Sequence, residues 1–199
     1  MSDDTTPGVA VAGAPRAGDE PGWVDAVLAF WLRERGDAQW FAKDPEQDAL
    51  IAERFAALHG QLAADAALAP RSPREALATV IVLDQFSRNM DRGDARAFAS
   101  DARARRIAAD ALDAGWQAGM SPRECLLLSL PFEHSESLSD QARAVALTHA
   151  LGDDSWIRFA RAHYDIIDRF GRFPHRNAVL GRVSTDAERA FLAGPGSGF

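Results

Sequence analysis

One helix-start pattern recurs along this chain and confines it to helical folds. Ser72-Pro73-Arg74-Glu75 and Ser121-Pro122-Arg123-Glu124 are the same tetrapeptide. Each offers a capping hydroxyl, a proline suited to the first turn and an acid three residues on. Asp44-Pro45-Glu46-Gln47 and Thr185-Asp186-Ala187-Glu188 are further starts of this kind. Between them apolar residues recur at helical spacing, no segment alternates with period two, and β-branched residues are sparse.

The spacing predicts a first helix from Trp23 to Arg35, with Val24, Val27, Leu28 and Trp31 inward and Gly36 ending it. A second runs from Asp44 to about Ala66 and buries Leu50, Ile51, Phe55, Leu58 and Leu62. The helix opened by Ser72 carries Leu77, Val80, Ile81 and Phe86, and another spans Asp94 to Ala114. The one opened by Ser121 is expected to stop before Pro131, which lacks the N–H the ladder needs. Two more helices are expected from Leu138 to Leu151, capped by Ser137 or Ser139, and from Ser155 to Phe170 with Gly171 as its stop. Overlaying the two Ser-Pro-Arg-Glu copies places Asp84 on Glu133 and Gln85 on His134. That is either an internal repeat of helical hairpins or the ordinary likeness of helix caps. The expected fold is all-α, stacked helical hairpins with about seven to nine helices.

A chain of 199 residues, 47% hydrophobic, fits one domain with a sizeable core. Residues 1–21 read as a disordered tail, 22–193 as the helical domain and 194–199 as a flexible end. The start lacks the basic and apolar runs of a signal peptide, and the longest apolar run, Leu126 to Phe132, is too short to span a bilayer. A cytoplasmic protein without a membrane partner is expected. The net charge of −7 argues against nucleic acid. Cys125 is the sole cysteine, which excludes an internal disulfide and a cysteine zinc site; it reads as a small buried hydrophobe.

Three polar segments could carry chemistry. In the first, Asp84, Gln85, Arg88 and Asn89 lie within six residues, with Asp84 and Arg88 on one helix face. The simpler reading is an exposed ion pair of little worth with Asn89 as cap. In the second, Glu133, His134 and Glu136 come after a buried run, where pKa values shift and acid–base work becomes feasible. The third holds His163, then Arg169, Arg172, His175, Arg176 and Asn177 interleaved with Phe170 and Phe173. Its arginines either present a cationic pocket to a carboxylate or phosphate, or neutralise Asp165, Asp168 and the acids of the second segment. His134, His163 and His175 with Glu133 or Asp84 contain metal-ligand types, but the spacing is not that of a compact metal motif and no metal is expected. His59 and His149 have no polar company in the sequence. Trp31 and Trp40 read as core or groove lining, and Trp40-Phe41, just before a helix, as ligand lining. No phosphate loop, dinucleotide fingerprint, nucleophile elbow or kinase motif is present, so the cofactor is unknown.

The strings VLAFW (27–31), WFAKD (40–44), LDQFSRN (83–89), ARAFASD (95–101), LPFEHSE (130–136) and RFGRFPHRN (169–177), with Leu180-Gly181-Arg182, occur in one order. In these the chain resembles the bacterial domain-of-unknown-function family 924, of the tetratricopeptide-like helical superfamily. It departs from the family's pattern at Ser87, where proline is usual, and near Met90-Asp91, where tyrosine is usual. The resemblance implies an all-α, tetratricopeptide-like fold and no settled activity. Its strings include all three polar segments.

Two functions fit. In the first the segments converge on a small anionic ligand. Glu133 or His134 would be the acid–base group, Arg172, Arg176 and Arg88 would hold the anion, and His163 and His175 would orient substrate or relay protons. In the second, stacked hairpins grip a peptide or protein partner in a groove. The oligomeric state is not legible in the sequence.

Overall fold

A computed structural model describes residues 20–195. The expected tails lie largely outside these, at residues 1–19 and 196–199. The described chain is all-α. Helix α1 is Gly22–Ala29, continued by a π-helical segment, Phe30–Glu34. Helix α2 is Pro45–Ala64. Helix α3 is composite: Pro73–Val80, a π-helical segment Ile81–Phe86, then Ser87–Met90. Then come α4 (Asp101–Asp113), α5 (Pro122–Glu133), α6 (Leu138–Leu151), α7 (Asp154–Phe170) and α8 (Asp186–Leu192). Among the described residues no helix is long and apolar enough to cross a membrane.

The start signals act as their chemistry requires. Asp44 accepts the amide protons of Glu46 and Gln47, and Ser72, Ser121 and Thr185 each accept the amide proton three residues on. Two reciprocal capping boxes form, at Ser121–Glu124 and Thr185–Glu188. Gln47, expected to reach back to its own cap, instead donates to the Gln39 carbonyl and ties α2 to the preceding turn. Gly171, at φ 67°, ends α7 in the left-handed conformation that glycine adopts without strain.

Consecutive helices pack on one another from α2 through α7, and α3 also meets α1 and α5. The main core holds Trp31, Phe30, Phe55 and Phe86 in mutual ring contact beside Leu77, Ile81, Leu127 and Leu128. A smaller cluster of Ile166, Ile167 and Phe173, with Phe170 and Phe191, joins α7 to the C-terminal segment.

Further local expectations are corrected. Helix α5 does not stop before Pro131; it runs through to Glu133, with His134 donating its amide proton to Leu130. The ring fits helical φ, and the loss is confined to one ladder bond near the end of a buried helix. The stretch from Asp94 is not one helix: Asp94 caps a 3-10 turn, Ala95–Phe98, before α4 begins. Neither Ser137 nor Ser139 caps α6 through its side chain; Ser135 accepts the Ser137 amide proton and donates to Asp140. His59 has polar company after all, with Nε2 2.7 Å from Ser87 Oγ. Cys125 is half-buried, its Sγ 3.6 Å from the Gln117 carbonyl oxygen.

Candidate functional site

The extended α5 and the composite α3 end side by side, and the polar segments meet there. The wide π-helical turn at Ile81–Phe86 sets the register of the last turn of α3, so that Gln85, Arg88 and Asn89 all reach one cavity wall. Asp84 lies one layer behind, fully buried. Arg88 and Asn89 fold back to donate to the carbonyls of Asp84 and Gln85, each at 2.9 Å.

Asp84 organises the first cluster. His134 Nδ1 stands 2.9 Å from each of its oxygens, Gln85 Nε2 donates to it at 2.6 Å, and Arg88 Nη1 lies 3.0 Å away. The sequence favours an exposed Asp84–Arg88 pair; the structure buries it. Burial favours the neutral acid, but Arg88, His134 and Gln85 together outweigh it and hold the Asp84 carboxyl well below the usual range. Arg88 also forks onto Asp101 with two bonds of 2.9 Å. His134 is the counterpart: burial, then the Arg88 charge, lower its pKa despite Asp84. The pair is therefore an anionic carboxylate and a neutral imidazole with its proton on Nδ1, which leaves Nε2 as the basic nitrogen.

Glu133, the last residue of α5, is buried beside the same cavity. Gln141 fixes this helix end by donating to the Glu133 and Ser135 carbonyls at 2.6 and 2.7 Å. Burial, and then the Asp84 charge, push the Glu133 carboxyl up to about 8. Its Oε1 lies 3.1 Å from Nδ1 of His163, which also donates to the Phe159 carbonyl at 2.9 Å. Burial lowers His163 to about 3, so between about pH 3 and 8 the Glu133–His163 contact joins two neutral groups.

The third wall comes from the segment after α7. Glu136 pins it by accepting from the Phe173 amide at 2.9 Å and from both Nη atoms of Arg182 at 2.7 and 2.9 Å. This places His175 and Arg176 on the cavity, with His175 lowered to about 4 by burial and by Arg176. Arg176 is buried between the rings of Phe98 and Phe173, 4.6 and 4.4 Å from their centroids. Among the described residues its carboxylate neighbour is Asp101, with an oxygen 3.8 Å away, beyond good hydrogen-bond reach, and its Nε has no hydrogen-bond partner there. Burial, and then Arg88, lower the Arg176 pKa to about 10, the signature of a cation short of compensation.

The cavity has a volume of about 660 Å³. Glu133, His134, His163, His175, Gln85, Arg88, Asn89, Arg176 and Trp40 all line it. Five expected residues do not; one is Asp84, buried a layer behind the wall. Trp31 is core, stacked on Trp40 and accepting its Nε1–H through the main chain at 2.8 Å. Arg169 is exposed over the Phe170 ring. Arg172 pairs with Glu188 at 2.6 and 2.8 Å and ties α8 down. Asn177 is buried and donates to Ser184. The end of α7 and the Gly171 turn separate Arg169 from Arg172, and Arg176 belongs to the 3-10 turn Pro174–Arg176, so neighbours in sequence point to different structures. Lining residues not singled out from the sequence include Arg92, Phe98, Trp156 and Phe159. Trp156, Phe159 and His163 lie on α7 at helical spacing, a one-face stripe that could have been read. Among the described residues, no three His, Cys, Asp or Glu side chains are grouped to hold a metal ion.

The family described as bacterial protein of unknown function (DUF924) matches residues 27–196. The chain is also similar to a solved structure of a protein of unknown function from Agrobacterium tumefaciens. That similarity is 34% identity at a TM-score of 0.77, over 86% of this chain and 97% of the other. No curated protein matches.

Proposed function

This chain belongs to the bacterial DUF924 family, and from the geometry of its cavity we propose that it binds a small organic anion and performs acid–base chemistry on it. The observation that carries this is Arg176: a buried guanidinium with no carboxylate of the described residues in hydrogen-bond reach, lining a cavity shared with a neutral imidazole and a buried carboxyl. A buried cation only partly compensated is costly, and a bound anion completes the compensation. A peptide groove would spread its donors over an exposed surface; here Arg176, Glu133 and His163 are buried, which suits a small ligand.

In this reading Asp84 holds His134 in the Nδ1–H tautomer so that Nε2 accepts a proton from substrate or water. Glu133, protonated at neutral pH, donates a proton to the oxygen on which charge develops. His134 gains one proton and Glu133 loses one, so the pair returns to its starting state by passing the proton back. Among the described residues the cavity lining includes no serine, threonine, tyrosine or cysteine. Isomerisation by proton transfer, or attack by an activated water, fits this set of groups.

The test is calorimetric titration at pH 7 with hexanoate, benzoate and phenyl phosphate, with neutral hexanamide for comparison. At least one anion binds about tenfold or more tightly than hexanamide. Arg176→Met, which keeps an unbranched stem between Phe98 and Phe173, abolishes that preference. Anion binding absent from wild type, or unchanged in the variant, contradicts the proposal.

A further inference from the structure

The large apolar side chains most exposed on the described surface are Phe41, Leu138, Phe159, Leu180 and Val183. Two of them, Phe41 and Phe159, line the same cavity as Arg176. They come from unrelated segments, the loop after Trp40 and the middle of α7, and are 59% and 60% exposed. Inward of them the wall stays apolar. Trp156 is half-buried, Trp40 nearly fully so, and Leu126 and Leu130 are core residues. The buried charged and imidazole groups of the wall are Arg176, Glu133 and His163, while Lys43 and Arg92 line it at exposed positions. A buried cation short of a close carboxylate at one end, and exposed aromatic surface among the residues at the other, give the cavity one direction.

Scattered exposed hydrophobics need no explanation, but a pair at the mouth of an apolar-walled cavity does. A compact polar anion would leave the Trp40, Leu126 and Leu130 wall uncovered and both phenylalanines in water. An anion with a long apolar body would cover all of them. Trp156, Phe159 and His163 share one face of α7, so the helix that offers the aromatic rim also carries an imidazole at the polar end.

We infer that the ligand is an amphipathic carboxylate whose head lies against Arg176 and whose apolar body runs along the Trp40–Leu130 wall to emerge between Phe41 and Phe159. This rests on the anion reading above and adds the substrate class. The carboxylate pairs with the planar guanidinium fork, and the body supplies most of the affinity.

The experiment is a calorimetric series of straight-chain carboxylates from butanoate to decanoate, below their micelle concentrations. It compares wild type, Arg176→Met and the double variant Phe41→Ser, Phe159→Ser. Both phenylalanines are exposed, so the double variant folds, which its circular dichroism and melting curve verify. Wild type gains about fourfold in affinity per added methylene while the chain fills the apolar wall. The double variant loses this gain for octanoate and decanoate and binds butanoate as wild type does. A series flat in chain length, with the double variant indistinguishable from wild type, overturns the amphipathic class and leaves the anion site standing. No binding of any member, butanoate included, by wild type or Arg176→Met removes both readings.

Discussion

Asp84 receives the Nδ1 proton of His134 between its two carboxylate oxygens, each 2.9 Å away, and does so with no exposed surface of its own. A buried carboxylate in that position fixes both the tautomer and the direction of the imidazole. Asp84→Asn removes the charge and keeps the shape. Nitrogen-15 NMR of labelled histidine is expected to show His134 protonated at Nδ1 in wild type and in mixed tautomers in the variant. Arg88 then keeps Asp101 as its one carboxylate partner among the described residues, and urea unfolding should show a loss of about 3 kcal/mol.

Glu133 gives a pH signature of its own. Its folded pKa of about 8 stands above the ordinary 4.5, so the native state binds the extra proton between those values. Its contribution is fully present below pH 4.5 and is lost as pH rises through 8. Glu133→Gln removes this dependence. The stability of the variant relative to wild type should therefore rise from about pH 5 to 8 and level off above, by roughly 3–5 kcal/mol in total. A constant difference across that range would show that Glu133 is not held neutral.

The histidines act in the opposite sense. His163 and His175 are lowered to about 3 and about 4 from 6.5, so the unfolded chain takes up protons first as pH falls. Wild-type stability should decline from pH 6.5 towards 4, and the double variant His163→Leu, His175→Gln should flatten that decline. Because Arg176 is one cause of the low His175 pKa, an anion seated on Arg176 should raise it. Hexanoate binding at about pH 6, where the free ligand is almost wholly ionised, should then take up protons, measured as a dependence of calorimetric heat on buffer ionisation enthalpy.

Arg172 provides the contrast to Arg176. It holds Glu188 and the Val183 carbonyl, away from the cavity. Arg172→Ala should lower the melting temperature and leave hexanoate affinity unchanged. A selective loss of affinity would return Arg172 to the site.

Much of this arrangement is legible in the sequence because helix caps and period are local properties. The Ser72, Ser121 and Thr185 starts and the Gly171 stop are each decided by the few residues around them. Pro131 misleads because its missing N–H is a local fact, whereas the burial that keeps α5 intact around it is tertiary. The Asp84–Arg88 pair reads as exposed for the same reason: helical spacing says that two residues share a face and not where the face points. Overlaying the two tetrapeptides matches Asp84 with Glu133, and the structure buries both beside one cavity. It gives them opposite ionisation, because Asp84 has the Arg88 cation beside it and Glu133 has a neutral imidazole. The three arginines of the last segment cannot be sorted without the turn at Gly171 and the Glu136–Arg182 tie, which send Arg169, Arg172 and Arg176 to three different places.

The central claim is that His134, His163 and His175 share one anion-filled cavity with Arg176. Histidine-selective nitrogen-15 labelling, monitored through a titration with octanoate at about pH 6.5, near the ordinary histidine pKa, tests it most directly. The resonances of these three imidazoles should shift together with one saturation curve, those of His59 and His149 should stay fixed, and Arg176→Met should abolish the response. Shifts confined to a single histidine, or a full response in the Arg176 variant, would contradict it.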